Sequence, residues 1–177
     1  VPLSEPAHAW LDEELILLAH LLGDGSIGPQ SVKYATADGL NKDTVERAAR
    51  ALFGMEVPSA RQGKTWLMWL KSPRRLTHGV RHPVRDWLEP LGLWGSRSWN
   101  KFVPQSIFNL SNTQTALFLR HLWATDGSMR LGRNYRSPFV SIYYATTSRR
   151  LADDVCRLLL RFGIVARLNH ADKGSYR

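Results

Sequence analysis

Two stretches decide how this sequence folds: Leu17-Leu18-Ala19-His20-Leu21-Leu22-Gly23-Asp24-Gly25-Ser26 and Leu119-Arg120-His121-Leu122-Trp123-Ala124-Thr125-Asp126-Gly127-Ser128. Each is an apolar helical run that ends in Asp-Gly-Ser. A helix that is apolar nearly all round is a buried helix. A carboxylate at the end of a buried helix costs desolvation and needs a reason. Two such helices point to two matched halves that bring Asp24 and Asp126 together. Around the first stretch, Leu11, Leu15, Leu18 and Leu22 make one seam at alternating spacings of four and three. Ala19 and Gly23 lie four apart on the next stripe, where small residues let a partner helix come close. Asp12 reads as the N-cap, Leu11 with Ile16 as a hydrophobic staple, and Gly25 as the helix stop.

The repeat extends beyond the two helices. After the first come a strand over 31–36, a helix capped by Asn41 with Leu40 and Val45 as staple, and Gly54 as its stop. A hairpin over 56–61 and 65–71 follows, then a short helix from Pro83 to Leu91. After the second come strands over 129–133 and 139–147, a helix capped by Ser148 through Phe162, and a strand over 164–170. Ser111 and Gln114 form a capping box for the second Asp-Gly helix. Tyr34-Ala35-Thr36 matches Tyr144-Ala145-Thr146, and Phe53-Gly54 matches Phe162-Gly163. Repetition of a whole supersecondary unit defines an α+β fold of two pseudo-symmetric repeats. The first repeat spans 11–93, a linker 94–110, and the second 111–177. The second repeat stops before a counterpart of residues 65–91, so the natural chain is expected to continue.

Composition narrows the function. The 177 residues carry a net charge of +9, with 44% hydrophobic residues and seven Trp, which fits a folded basic domain. Between Val57 and Thr125 there are ten Lys or Arg against Asp86 and Glu89, and between Gly127 and Arg150 five Arg and no acid. A basic surface with interleaved aromatics suits a polyanion, although charge alone fits a merely solvated face equally well. No apolar run is long enough to cross a membrane. The N-terminal residues lack a secretory pattern, and the single Cys156 sits in a helical core pattern; both point to a cytoplasmic protein. Trp66, Trp69, Trp87, Trp94 and Trp123 read as core. His20, His121 and His170 lack the spacing of a metal-ligand set.

Two carboxylates close together repel, and a divalent cation between them removes that cost. Oxygen ligands without a Cys/His cluster suit Mg²⁺ (or Mn²⁺), the usual setting for phosphodiester cleavage. A nearby lysine could orient the attacking water or stabilise the developing charge. By alternation or by position on hairpin tips, Lys33, Arg61, Lys64, Arg130, Arg133, Tyr135, Arg136 and Tyr143 are the DNA-contact candidates.

The stretches Leu17–Gly25 and Leu119–Gly127 resemble the paired motifs of LAGLIDADG homing endonucleases. The resemblance implies an αββαββ pseudo-dimer with the two helices at its centre and a saddle of antiparallel strands on double-stranded DNA. It implies that Asp24 and Asp126, with Gly23 and Thr125 beside them, bind the catalytic metal, and that both strands are cut across the minor groove, leaving short 3′ overhangs. Asn100-Lys101-Phe102-Val103-Pro104 resembles the Lys-x-x-Pro block of intein endonucleases, which implies that Lys101 is a catalytic lysine. The run Leu117–Gly127 is similar to inteins of the bacterial replicative helicase DnaB. Leu22 and Ala124 stand where some members carry an acid, and His121 stands where a small residue is usual. The sequence shows no splicing nucleophile and no terminal His-Asn. It therefore looks like the endonuclease part of an intein: a monomer acting with a splicing domain and a host helicase in cis. A DNA-binding module that has lost cleavage, and an insertion that only supports splicing, remain as alternatives.

Overall fold

The computed structural model describes residues 9–28, 31–76, 79–133 and 138–171. Tyr135 and Arg136 lie outside them. The order is α1 (Asp12–Gly23), β1 (Gly25–Ile27), β2 (Val32–Thr36), α2 (Gly39–Phe53), β3 (Ser59–Gln62), β4 (Thr65–Leu70), α3 (Pro83–Leu88), a 3-10 turn (Gln105–Asn109), α4 (Asn112–Asp126), β5 (Gly127–Arg133), β6 (Pro138–Tyr144) and α5 (Arg149–Leu160). All strand pairings are antiparallel, in a four-stranded sheet of order β1-β2-β4-β3 and a two-stranded sheet β5-β6. This is the expected α+β architecture, with helix, strand, strand, helix occurring twice.

The core forms around α1, as its sequence demands. Leu15, Leu17, Leu18, Ala19 and Leu21 are fully buried. α1 packs against α4 on one side and α2 on another. The close approach predicted from small residues occurs at Gly23: a Cβ there would overlap the Thr125 side chain. Gly23→Ala is therefore expected to cost about 1–3 kcal/mol by overpacking. Denaturant unfolding of Gly23→Ala, alone and combined with Thr125→Gly, checks this, because the second change restores the space.

Several boundaries differ from the sequence expectations, each for a local reason. Leu11, not Asp12, is the N-cap of α1: its N–H is held by the Glu14 carboxylate at 3.0 Å. Asp38, not Asn41, caps α2 by accepting from the N–H groups of Leu40 and Asn41 at 2.7 and 3.1 Å. That frees Asn41, whose side-chain amide donates to the Ala124 carbonyl at 2.8 Å and ties α2 to the end of α4. Gly25 is no left-handed helix stop; it opens β1 opposite Tyr34. β3 begins only at Ser59, because Pro58 has no N–H to donate to the ladder. α3 ends at Leu88 ahead of Pro90, and α5 at Leu160. Residues 164–170 form no strand, since among the described residues no ladder partner lies alongside them. Ser111 and Ser148 cap α4 and α5 as expected, and Gly54 ends α2 at φ 61°.

Trp87, Trp94 and Trp123 pack against the core while staying half-buried. Trp66 and Trp69 do not join it. The two repeats also differ in how well their sheets are covered. On β5 and β6, Met129, Leu131, Val140 and Ile142 are exposed, although their register matches the buried Tyr34-side face of the first sheet.

Candidate active site

Helices α1 and α4 end side by side, and the chain turns at each end into a strand. The Asp24 N–H closes the last turn of α1 on the His20 carbonyl at 3.1 Å. Gly25 follows where a Cβ would overlap the backbone of Leu21, so only glycine permits this tight exit. Asp126 ends α4, and its carbonyl accepts from Ala145 N–H at 3.2 Å at the head of the β5-β6 ribbon. The Asp24 carboxyl is pushed up to about 6, first by burial and then by the charge of Asp126, with Lys101 opposing both. Two carboxyls in one another's field is the arrangement expected from the paired sequence stretches.

Lys101 is buried at 3% exposure. Its ammonium donates to the carbonyls of Leu21 at 2.8 Å, Gly23 at 3.1 Å and Gly25 at 2.7 Å. An ammonium has three protons, and here three backbone carbonyls take them. The last-turn carbonyls of a helix have no partner further along it, so Lys101 caps α1 and holds the turn that carries Asp24. Burial lowers its pKa to about 8, against the pull of Asp126 and Asp24. The lysine is itself held by the second repeat. Ser148, the cap of α5, donates its hydroxyl to the Lys101 carbonyl at 2.6 Å, and Val103 N–H donates to the buried Asp154 carboxylate at 3.0 Å. In this structure the Lys101 ammonium faces the backbone beneath Asp24.

Tyr34 and Tyr144, noticed in the sequence only as repeat letters, flank the same carboxyls. Burial and the charges of Asp24 and Asp126 raise the pKa of both phenols. The Tyr34 hydroxyl bonds to His20 Nδ1 at 2.9 Å, and His20 Nε2 bonds to His121 Nδ1 at 3.1 Å. The two histidines, unremarkable by spacing, therefore meet across the α1–α4 interface. His121 fills the place of a small residue with a hydrogen bond.

Burial, then His121, lowers the His20 pKa to about 4, and burial lowers that of His121. The unfolded chain then binds a proton below about 6.5 that the folded chain refuses until about 4. Stability is full above pH 6.5 and is lost as pH falls toward 4, by about 3 kcal/mol for His20. Urea unfolding across pH 7 to 4, with the His20 ring followed by NMR, tests this. A ring titrating near 6.5 would contradict it.

Residues 113–177 match the LAGLIDADG-like domain family. The backbone is similar to the homing endonuclease I-DmoI studied as mesophilic variants, with a TM-score of 0.56 at 10% identity, covering 92% of this chain and 83% of that one. The chain has the LAGLIDADG fold. It is also 43% identical over 167 residues to the replicative DNA helicase DnaB of Rhodothermus marinus, covering 93% of this chain and 18% of the helicase. It is 28% identical over 162 residues to RecA of Mycobacterium bovis, covering 84% of this chain and 18% of that protein. The chain thus spans under a fifth of these curated relatives.

Of the metal-ligand candidates on the two LAGLIDADG helices, Asp24 and Asp126 present carboxyls at the helix ends. Gly23 and Thr125 serve the helix contact, with the Gly23 carbonyl accepting from Lys101 and the Thr125 hydroxyl donating to Leu122 at 2.6 Å. No cluster of three or more His, Cys, Asp or Glu forms among the described residues. The strand register sorts the DNA-contact candidates. Lys33 is exposed on the outer face of the first sheet, opposite Ser26 on β1 and Trp69 on β4. Tyr143 and Arg130 stand on the matching outer face of the second sheet, opposite Ser128 and Ser141. Lys64 is exposed in the β3-β4 turn. Arg61 pairs with Trp66 and so shares the helix side of the sheet. Its guanidinium covers the Trp66 ring at 5.4 Å, with Lys42 of α2 at 5.5 Å. Arg133 ends β5 opposite Pro138.

Proposed function

We propose that this chain is a site-specific DNA endonuclease, encoded within an intein of a replicative DNA helicase, that cuts both strands with Mg²⁺ or Mn²⁺. The observation that carries this is the pair Asp24 and Asp126 at matched helix ends, with the Asp24 carboxyl raised by burial and by its partner's charge. Such a pair is costly to keep unless a cation and phosphate oxygens complete it. The donor set suits a hard divalent ion. The ion would be held by the Asp24 and Asp126 carboxylates and would supply charge to neutralise them together with the phosphate. Lys101 fixes the Asp24 turn from beneath, and the outer strand faces hold the duplex through Lys33, Arg130 and Tyr143. Both carboxylates come from one chain, so a monomer suffices.

The insertion reading has separate support. The helicase DnaB and the protein RecA are different proteins, yet each matches this chain over the same small fraction of its length. A segment shared in that way behaves as an inserted unit. Among the described residues no helix is long and apolar enough to cross a membrane, and the protein would act where its host helicase does, in the cytoplasm.

A duplex carrying the helicase gene without its insert, incubated with the protein and Mg²⁺, tests the reading. A double-strand cut at the insertion point is expected. Tight, salt-sensitive binding without a cut would favour the second reading, a DNA-binding module without cleavage. That reading draws on the full engagement of the Lys101 ammonium by backbone. Absence of specific binding would overturn both and leave a role in splicing alone.

A further inference from the structure

The outer face of the four-stranded sheet carries an apolar strip that the core does not use. Side chains alternate along β4, so Trp66, Met68 and Leu70 face the helices while Thr65, Leu67 and Trp69 face away. Met68 and Leu70 are buried in the core; Leu67 and Trp69 are half-buried and lie outside it. The register sets Ala35 on β2 and Ala60 on β3 either side of Leu67, and Lys33 beside Trp69. A sheet face left to water alternates to polar residues. This one is apolar at its centre, with exposed Lys33 at its edge and Lys64 at the hairpin tip.

The corresponding face of the second sheet has different chemistry. There Ser128 stands opposite Tyr143 and Arg130 opposite Ser141, hydrogen-bonding groups on the part of the face nearest the carboxyls, and the apolar Phe139 stands opposite Gly132 toward the far end of the ribbon. The two faces begin at matched points, because β1 and β5 follow Asp24 and Asp126 directly. Whatever reaches both carboxyls also lies along both faces.

The major groove of duplex DNA admits a β-ribbon, and its floor offers donors, acceptors and one apolar group, the thymine C5-methyl. We propose that the four-stranded sheet reads thymine methyl groups through Ala35, Leu67 and Trp69, whereas β5-β6 reads base edges by hydrogen bonds from Arg130 and Tyr143. The target is then chemically lopsided, with thymine contacts under the first repeat. This rests on the DNA reading above. A basic rim around an apolar centre fits a groove walled by phosphates and floored by methyls.

The test starts from a randomised duplex pool, selected on the protein in Ca²⁺ so that binding is measured without Mg²⁺. Leu67→Ser and Arg130→Ala then assign the half-sites, since each alters selectivity only at the bases under its own sheet. In the selected duplex, thymine is replaced by deoxyuridine in one half-site at a time, which keeps pairing and removes only the methyl. Affinity is expected to fall about fourfold for each contacted methyl under the first repeat, the worth of one buried methylene-sized group. Under Arg130 and Tyr143 of the second repeat it is expected not to change. In Leu67→Ser the sensitivity at the first half-site should disappear. Equal affinity for the deoxyuridine and thymine duplexes would overturn the inference while leaving sequence-specific binding in place. This comparison needs only the wild-type protein, so it stands even if a variant fails to fold. No selected sequence at all would overturn both this inference and the DNA reading; a protein partner would then have to cover the strip.

Discussion

Asp24→Asn and Asp126→Asn are each expected to lower double-strand cleavage by about 10³-fold, because under the proposed function each removes one of the two charges that would hold the divalent ion, an ion worth several kcal/mol to a transition state. Duplex affinity in Ca²⁺ should change little, since the proposed phosphate and base contacts lie on the strand faces. Stability should move the other way. The folded Asp24 carboxyl titrates at about 6 against 3.8 in the unfolded chain. Between those values the folded state holds a proton that the unfolded state has lost, so stability falls as pH rises from about 4 to 6 and stays lower above. Asn carries no charge to desolvate. Without divalent ions, Asp24→Asn should therefore melt higher than wild type at pH 7.5 and equal to it near pH 3.5. An inactive but unstabilised Asp24→Asn would separate catalysis from the cost of burying the Asp24 charge beside Asp126.

Lys101→Met is expected to destabilise the fold by about 3 kcal/mol. Three carbonyls lose their donors, at about 1–3 kcal/mol for each left unsatisfied in the interior, and release of a buried ammonium offsets part of that. Cleavage should fall with it, since the Asp24 turn loses its anchor. Ser148→Ala separates holding from folding. It keeps the ammonium and removes only the hydroxyl that bonds the Lys101 carbonyl and caps α5. Its stability loss should be about 1 kcal/mol, a cap's worth, with intermediate cleavage. Circular dichroism melting, and cleavage measured well below each melting temperature, distinguish the cases. Full activity in folded Lys101→Met would remove the lysine from the mechanism.

Much of this protein is written in local pattern. The seam of α1, the capping Ser111 and Ser148, the stop at Gly54 and the Glu46–Arg50 pair at 2.8 Å all follow from spacing. The matched Asp-Gly-Ser ends by themselves put Asp24 and Asp126 in equivalent positions of the repeat. Caps were less legible where two candidates lay close together. Asp38 and Asn41 both suit the start of α2, and only the folded chain shows that Asn41 is engaged with Ala124 across the interface.

What the sequence determined by itself is what depends on neighbours along the chain: which helices are buried, that the unit repeats, and where its acids fall. Tertiary structure decided what depends on register and helix rotation. Arg61 falls on the helix side because it pairs with Trp66, while Lys33 and Trp69 share the outer face. His20 and His121 became partners because α1 and α4 cross there. Lys101 became the cap of α1 because α5 holds its linker against the first repeat. The histidine and lysine contacts join residues from about 50 to 100 positions apart, and a one-residue shift in strand pairing would turn every strand side chain to the opposite face.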